Sequence, residues 1–323
     1  MSISQAQASS GPEFRLGLFR PLISLALCIL VLGLLWIYAP TFFKLNNFIN
    51  ILVQSSILAV MAIGMATVMI GGGIDLSLPF NAALSAVFGA LYMRATSDPI
   101  GGPLVMVVAA LAIGAFNGFA VGYLRMIPFV VTLAMMTVTN GSAVWLTNSI
   151  SIADIPDAFV DPFFTRYLGL PLTVYIAAAV FVGAHVLMSK TVYGRWLYAV
   201  GINAKAAKVA RIPGPRVIAL SYVFAGLVAG IGGIMLTGRL ASASSNLASP
   251  TLVLDVVSAC VVGGISIYGG VGRIYGAVFG ALFMTLLSNA LNAAEVTVYV
   301  NQMVRGAIII AFVALDRFTS RGA

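Results

Sequence analysis

Charged residues are scarce in this sequence. Only 8% of the 323 residues are charged, whereas 61% are hydrophobic and the mean hydropathy is +1.06. Soluble domains carry about 25% charged residues, so the composition excludes an ordinary water-soluble core. Apolar stretches of about 20 residues recur along the whole chain, which is the pattern of membrane spans. The sequence therefore predicts an all-α, polytopic membrane protein.

Residues that perform catalysis are also few. Cys28 and Cys260 lie in apolar segments without metal-ligand spacing, and His185 is the single histidine. A lone histidine makes neither a metal site nor a catalytic triad, and the chain has no phosphate-binding GxxxxGK[S/T] motif. We therefore predict no catalytic residue, no metal site and no enzymatic activity. The net charge of +8 is attributed to cytoplasmic loops and not to nucleic-acid binding.

About ten membrane spans are predicted, with boundaries set to within about four residues. They lie at 20–40, 48–71, 76–95, 103–124, 128–148, 172–189, 217–237, 250–268, 274–292 and 296–315. The spans at 76–95 and 250–268 contain polar residues and are marginal. The alternative is eight full spans, with re-entrant or broken segments at these two places.

The distribution of charge orients the chain in the membrane. The loop at 190–216 contains six Lys and Arg residues and no acid, whereas the loop at 149–171 carries three aspartates. Because Lys and Arg accumulate in cytoplasmic loops, both termini are predicted to lie inside. This gives a cytoplasmic tail at 1–19, one transmembrane domain at 20–316 and a cytoplasmic tail at 317–323. The basic loop suits either an anchor on anionic lipid or a short helix that docks a soluble partner.

The stretch IGGGIDLSLP at 70–79 interrupts two apolar runs. Glycines permit sharp reversal, so Gly71–Gly73 are predicted to end the second span. Asp75 or Ser77 then caps the next helix, because either side chain can accept from free backbone N–H groups. The alternative is functional, since intramembrane acids are costly and often line a path.

Polar side chains also occur in or near the last three spans. Asp255, Asn289 and Asn301 are candidates for a translocation path, and the alternative is that they are helix-end groups at the interface. Neutral amides and hydroxyls beside aromatic rings suit a polyol better than an ion.

A weak internal repeat is present. A shift of 191 residues places AVFGALYM at 86–93 on AVFGALFM at 277–284. The same shift maps spans one to four onto spans seven to ten, which predicts two repeats of the same orientation. The alternative is chance similarity between helices rich in Ala and Gly.

Several long motifs resemble the inner-membrane permease subunits of bacterial ABC sugar importers, the ribose/xylose/galactose branch. They are FFKLNNFINILVQSSILAVMAIGMATVMIGGGIDLS at 42–77, GAFNGFAVGYLRMIPFVVTLAMM at 114–136, YGRWLYAVGINAKAAKVARI at 193–212, LDVVSACVVGGISIYGGVGRIYGAVFGA at 254–281 and YVNQMVRGAIIIAFVALD at 299–316. The resemblance spans nearly the whole chain.

The resemblance implies a multi-pass protein of the bacterial inner membrane with several partners. A second permease subunit, identical or paralogous, would pair with the chain, and two copies of a cytoplasmic ATPase would bind ATP and Mg²⁺. A periplasmic binding protein would deliver the sugar, so this chain itself would hold no cofactor. Membrane lipid would surround it.

The resemblance also implies roles for two groups of residues. The ATPase-coupling loop would include Gly194, Arg195, Gly201, Asn203, Ala206 and Ala207. The translocation path would pass beside Gly72, Gly73, Asp75 and Ser77. Two alternatives stay open, namely a permease for branched-chain amino acids or another polar solute, and a stand-alone secondary transporter or channel.

Overall fold

The computed structural model describes Gly33 and residues 40–320. The predicted tail at 1–19 and nearly all of the predicted first span at 20–40 lie outside the described residues. The helices are α1 (Leu45–Ile70), α2 (Leu78–Thr96), α3 (Gly101–Gly118), α4 (Pro128–Thr147), α5 (Asp157–Phe164), α6 (Leu172–Lys190), α7 (Val192–Ile202), α8 (Ala204–Val209), α9 (Gly214–Leu240), α10 (Pro250–Val262), α11 (Ile274–Ala293) and α12 (Val298–Ser320).

Short elements complete the architecture. A π-helical turn at Phe119–Tyr123 extends α3, and 3₁₀ turns occur at Pro40–Phe43 and Ser245–Leu247. Strands β1 (Arg166–Tyr167) and β2 (Leu170–Pro171) form a small antiparallel hairpin before α6.

The apolar composition appears as long helices. Within the described residues, seven segments are long and apolar enough to cross a membrane. They are Leu45–Ile70, Gly101–Tyr123, Pro128–Thr147, Leu172–Lys190, Gly214–Leu240, Ser245–Val262 and Ile274–Ala293. The predicted all-α, polytopic membrane architecture is confirmed.

The predicted span at 250–268, which was marginal, is too long by its last six residues. Helix α10 begins after Ser249, whose side chain accepts a hydrogen bond from the Leu252 amide, and it ends at Val262. Gly264 then adopts a left-handed φ of +81°, which helix geometry forbids. Helix α10 itself has 13 residues, and the 18-residue segment that could cross a membrane begins earlier, at Ser245. By contrast α2 is a continuous helix, close to the predicted span at 76–95.

Helices α1 and α9 form the centre of the bundle. Every residue of α1 from Ser55 to Ile70 is buried, as expected for a helix that is apolar on all sides. Helix α9 runs antiparallel to it, because Gly64 lies against Val228 whereas the earlier residue Met61 lies against Gly232. Helices α2, α3, α6 and α11 pack on this pair, and α4 and α12 pack farther out, on α2 and α10.

Small residues bring α3 and α9 into backbone contact. A Cβ on Gly114 would lie 2.8 Å from the Gly226 Cα, and one on Gly118 would lie 2.5 Å from the Ala219 carbonyl oxygen. Small residues at this four-residue spacing let helices approach closely, so their role here is packing.

The structure relates the helices by a repeat that differs from the predicted one. Helix α1 packs on α11 as α9 packs on α3, and α2 packs on α3 and α9 as α10 packs on α11 and α1. The four consecutive helices α1 to α4 therefore correspond, in the same order, to α9 to α12. Because α1 and α9 are antiparallel, the two groups are inverted and do not share one orientation. The sequence match fails because it pairs α2 with α11, whereas the packing makes α10 the counterpart of α2.

Candidate functional site

A glycine turn ends α1, and we name the non-helical stretch from Gly71 to Ser77 the break. The amides of Gly72 and Gly73 donate to the carbonyls of Met69 (2.9 Å) and Val68 (3.1 Å). Gly72 adopts a left-handed φ of +85°, which is easily accessible only to glycine. A Cβ on Gly73 would lie 2.5 Å from the Tyr222 hydroxyl oxygen of α9. The predicted end of the second span at Gly71–Gly73 is therefore confirmed, and Gly73 is also required by close packing.

A buried polar chain starts in the break. The Asp75 Oδ1 accepts hydrogen bonds from the Ser77 amide (3.0 Å) and the Ser77 hydroxyl (2.6 Å). The Asn117 side-chain amide of α3 donates to the Ser77 oxygen at 2.9 Å. All three side chains are almost completely buried. This chain of donors and acceptors fixes the start of α2 against the middle of α3.

The predicted helix cap is wrong in detail. Ser77 occupies the position before the first residue of α2, but its side chain makes no capping hydrogen bond to that helix. Its hydroxyl donates to Asp75 instead, and the Asp75 carboxylate receives the amide of Ser77 itself. The physical reason is the backbone of Ser77, which has helical dihedral angles (φ −79°, ψ −14°), whereas a capping residue is typically extended.

Asn117 and Tyr222 were missed by sequence reasoning. The Asn117 Oδ1 and the Tyr222 hydroxyl are buried and have no hydrogen-bond partner among the described residues. Both lie around the break, next to Ser77 and Gly73 respectively. The available signal was that Asn117 is the only amide side chain in the apolar run at 103–124.

The basic loop at 190–216, which we name the coupling segment, forms two short helices. Thr191 begins α7, because its side chain accepts a hydrogen bond from the Gly194 amide (3.3 Å). Asn203 begins α8, and its side chain accepts from the amides of Lys205 and Ala206, both at 3.0 Å. Polar side chains at these cap positions explain why the segment turns twice.

The six predicted coupling residues divide into two sets. Ala207 and Gly194 are buried, and Gly201 is closely packed against other parts of the chain. Arg195, Asn203 and Ala206 are exposed. The resemblance assigns all six to the ATPase-coupling loop, and within that loop the structure turns both glycines of α7 inward.

Within the inward set, Gly201 meets the break after α1, whereas Gly194 lies against Met188 of α6. A Cβ on Gly201 would overlap the carbonyl oxygen of Ile70, the last residue of α1, and lie 2.6 Å from the Gly270 amide nitrogen. That same Ile70 carbonyl accepts a hydrogen bond from Gly270 at 2.8 Å. A Cβ on Gly269 would lie 2.8 Å from the Gly72 Cα. We name this three-way backbone contact of Ile70–Gly72, Gly201 and Gly269–Gly270 the glycine junction.

The remaining path candidates lie in two other hydrogen-bonded groups. Arg305 of α12 forms an ion pair with Asp255 of α10 (Nη1 to Oδ2, 2.5 Å) and donates through Nε to Asn301 (2.8 Å). Asn289 of α11 accepts a hydrogen bond from Asn47 of α1 at 2.9 Å. The structure therefore brings Asp255 and Asn301 together through Arg305, and it holds Asn289 in a separate contact.

The chain is similar over most of its length to several permease proteins. The chain is 35% identical over 305 residues to the ribose import permease protein of Escherichia coli strain K12, covering 92% of each chain. It is 32% identical to the galactose/methyl galactoside import permease protein of Haemophilus influenzae (89% of this chain, 91% of the relative). It is also 32% identical to the D-allose transport system permease protein of Escherichia coli strain K12 (98% of each).

No solved structure matches the chain at a significant level. A family described as "Branched-chain amino acid transport system / permease component" matches residues 47–313. This range runs from the first turn of α1 into α12 and contains the break at Asp75, the coupling segment and the glycine junction. The chain belongs to this family of transport-system permeases.

Proposed function

We propose that the chain is the membrane-spanning permease subunit of an ATP-driven sugar importer and forms the translocation path for a pentose or hexose. Relatives named for ribose, galactose and allose support this substrate class. The observation that carries the proposal is that the coupling segment has one packed face and one exposed face. Its inner face packs on the break after α1, and its outer face stays free for a partner that supplies energy.

The outer face of the coupling segment suits a cytoplasmic ATPase. Ile202 and Val209 are 70% and 86% exposed, next to the exposed cations Lys205, Lys208 and Arg211. Exposed apolar side chains with a basic rim are typical of a docking surface. In this proposal Arg195, Asn203 and Ala206 contact the ATPase, whereas Gly194, Gly201 and Ala207 seat the segment on the permease.

The proposal includes the arrangement of partners. Two permease subunits, identical or paralogous, pair in the bacterial inner membrane with both termini inside and about ten spans each. Two ATPase subunits bind ATP and Mg²⁺ below them, and a periplasmic binding protein delivers the sugar. The chain itself performs no chemistry and contacts no nucleic acid.

The mechanism is a shift between outward-facing and inward-facing states. ATP binding moves the ATPase subunits, and the coupling segment carries this motion to Ile70 through Gly201. Because Gly72 to Ser77 follow Ile70 directly, the movement reaches Asp75 and its contact with Asn117. We propose that Gly72, Gly73, Asp75 and Ser77 line or shape the path, and that Asp255, Asn289 and Asn301 contribute to it elsewhere.

Co-purification followed by uptake tests the proposal. The tagged chain is isolated from gently solubilised native membranes, its partners are identified by mass spectrometry, and the complex is reconstituted in vesicles. We expect an ABC-type ATPase and ATP-dependent uptake of labelled ribose or galactose. Uptake of labelled leucine alone would support the branched-chain amino acid alternative, and uptake without any ATPase would support a stand-alone transporter.

A further inference from the structure

A cavity of about 420 Å³ lies beside the coupling segment. Its walls come from the last turns of α6, from α7 and from the start of α11. The lining residues are His185, Met188, Ser189, Tyr198, Gly272, Arg273, Ile274 and Tyr275. The volume falls within the range of about 300–1,000 Å³ typical of small-molecule sites.

The cavity is lined by the cationic side chain of Arg273 and by no Asp or Glu. No Asp or Glu occurs between Asp161 and Asp255, or between Asp255 and Glu295, so none lines the cavity. Among the described residues the one salt bridge is Arg305 with Asp255. Within residues 40–320 the Arg273 guanidinium therefore has no carboxylate partner.

Neighbouring aromatic residues hold Arg273 in place. Its Nη1 donates to the Tyr275 hydroxyl at 2.7 Å, and its guanidinium carbon lies 5.6 Å from the centre of that ring. The Tyr198 hydroxyl donates to the Gly272 carbonyl at 2.8 Å, which fixes the preceding residue. Burial raises the pKa of the Tyr198 hydroxyl, an effect opposed by the nearby Arg273 charge, so the hydroxyl stays protonated at neutral pH.

The cavity also opens beside an exposed apolar helix face. Val182 and Val186 of α6 are 58% and 47% exposed, on the same helix as His185. A guanidinium is the side chain best matched to a phosphate group, and basic pockets between helices on the cytoplasmic side recognise anionic lipid headgroups. Apolar side chains next to such a pocket suit acyl chains.

We propose that this cavity, the Arg273 pocket, binds the phosphate group of an anionic glycerophospholipid in the cytoplasmic leaflet. Arg273 supplies the charge and two-point hydrogen bonding, and the His185 imidazole and the Ser189 hydroxyl provide further polar contacts. The site is separate from sugar transport and depends on the proposed function only for the orientation of the chain.

Native mass spectrometry of the delipidated full-length chain tests the pocket. Phosphatidylglycerol and phosphatidylcholine are titrated against the wild type, Arg273→Gln and the matched control Arg216→Gln, which removes an exposed cation outside the pocket. We expect saturable binding of phosphatidylglycerol that Arg273→Gln weakens about tenfold or more and Arg216→Gln leaves unchanged. Arg273→Lys keeps the charge but loses the planar fork, so it should weaken binding several-fold.

Excess inorganic phosphate distinguishes the two sources of the phosphate group. If it does not displace phosphatidylglycerol from the wild type, the lipid is the ligand. If it displaces the lipid and itself binds only with Arg273 present, a free phosphate is the ligand and the lipid assignment is overturned. Equal weakening by Arg273→Gln and Arg216→Gln, or equal binding of phosphatidylcholine, would overturn the pocket altogether. Size-exclusion profiles check that each variant is folded.

Discussion

Helices α1 and α10 end in the same turn, but the linkers that follow make different contacts. In both, the first glycine after the helix (Gly71, Gly263) is close to helical and the second (Gly72, Gly264) is left-handed, with φ +85° and +81°. The amides that follow donate back to the helix in the same register. The first linker then buries Asp75, whereas the second presents Gly269 and Gly270 to the coupling segment.

The difference shows that a local turn does not determine what a linker does. The first linker, of seven residues, closes on a polar side chain of α3, and the second, of eleven, extends to the glycine junction. The extra length lets the second linker reach Ile70, so the two linkers meet each other there. Because Gly201 contacts Ile70 and Gly270, a displacement of the coupling segment would disturb both linkers.

The largest effect is expected where the two linkers meet. In Gly201→Ala the new Cβ overlaps the Ile70 carbonyl oxygen and crowds the Gly270 amide, and such overpacking costs about 1–3 kcal/mol. We expect ATP-dependent uptake in vesicles to fall to background while basal ATP hydrolysis remains. Gly183→Ala is the control, because a Cβ there meets no atom within 4 Å. Normal uptake by Gly201→Ala would show that the junction transmits nothing.

A smaller effect is expected in the first linker alone. Asp75→Ala leaves the buried amide and hydroxyl of Ser77 without an acceptor, which costs about 1–3 kcal/mol. Asp75→Asn retains an acceptor oxygen and should lose less than half as much. Thermal unfolding in detergent measures both, with the exposed Asp154→Ala as control. Equal losses for the Ala and Asn variants would contradict the hydrogen-bond explanation.

The shared turn predicts equal effects in the two linkers. Gly72→Ala and Gly264→Ala each place a Cβ in open space but in a left-handed conformation, which costs about 1–2 kcal/mol. The same unfolding measurement should give similar losses for both variants. A loss at one position only would mean that the two turns are not equivalent.

The smallest effect is expected for the contact between Ser77 and Asn117. Hydrogen bonds between membrane helices contribute about 0.6 kcal/mol on average. A double-mutant cycle of Ser77→Ala and Asn117→Ala should give a coupling energy of about that size. Full additivity would show that this hydrogen bond does not hold α2 to α3.

Much of the fold could be predicted from local pattern, and α6 and α11 show why. Their predicted spans, 172–189 and 274–292, differ from the helices by one residue at most, because apolar length and a helix boundary are encoded within the segment. The span at 250–268 was overextended because its apolar composition continues past Gly263 and Gly264. Hydropathy does not register a left-handed turn.

The local features of the candidate site could be predicted from the sequence, but the contacts between its distant segments could not. Gly71–Gly73 and the basic coupling segment were recognised, because turn glycines and clustered Lys and Arg residues are visible in the local sequence. Asn117 and the inward contact of Gly201 were missed, because each is defined by a residue far away in the chain: Ser77 for Asn117 and Ile70 for Gly201. The predicted parallel repeat failed for the same reason.

By itself the sequence determined a membrane-embedded helical chain, the glycine turn that ends α1, and a basic segment in its middle. These follow from hydropathy, from the backbone freedom of glycine and from the excess of Lys and Arg, which are local properties. Only the tertiary structure decided that Gly201, Ile70 and Gly270 share one contact and that Asn117 reaches Ser77. Glycine permits close approach, but which backbone approaches is set by the packing of all the helices together.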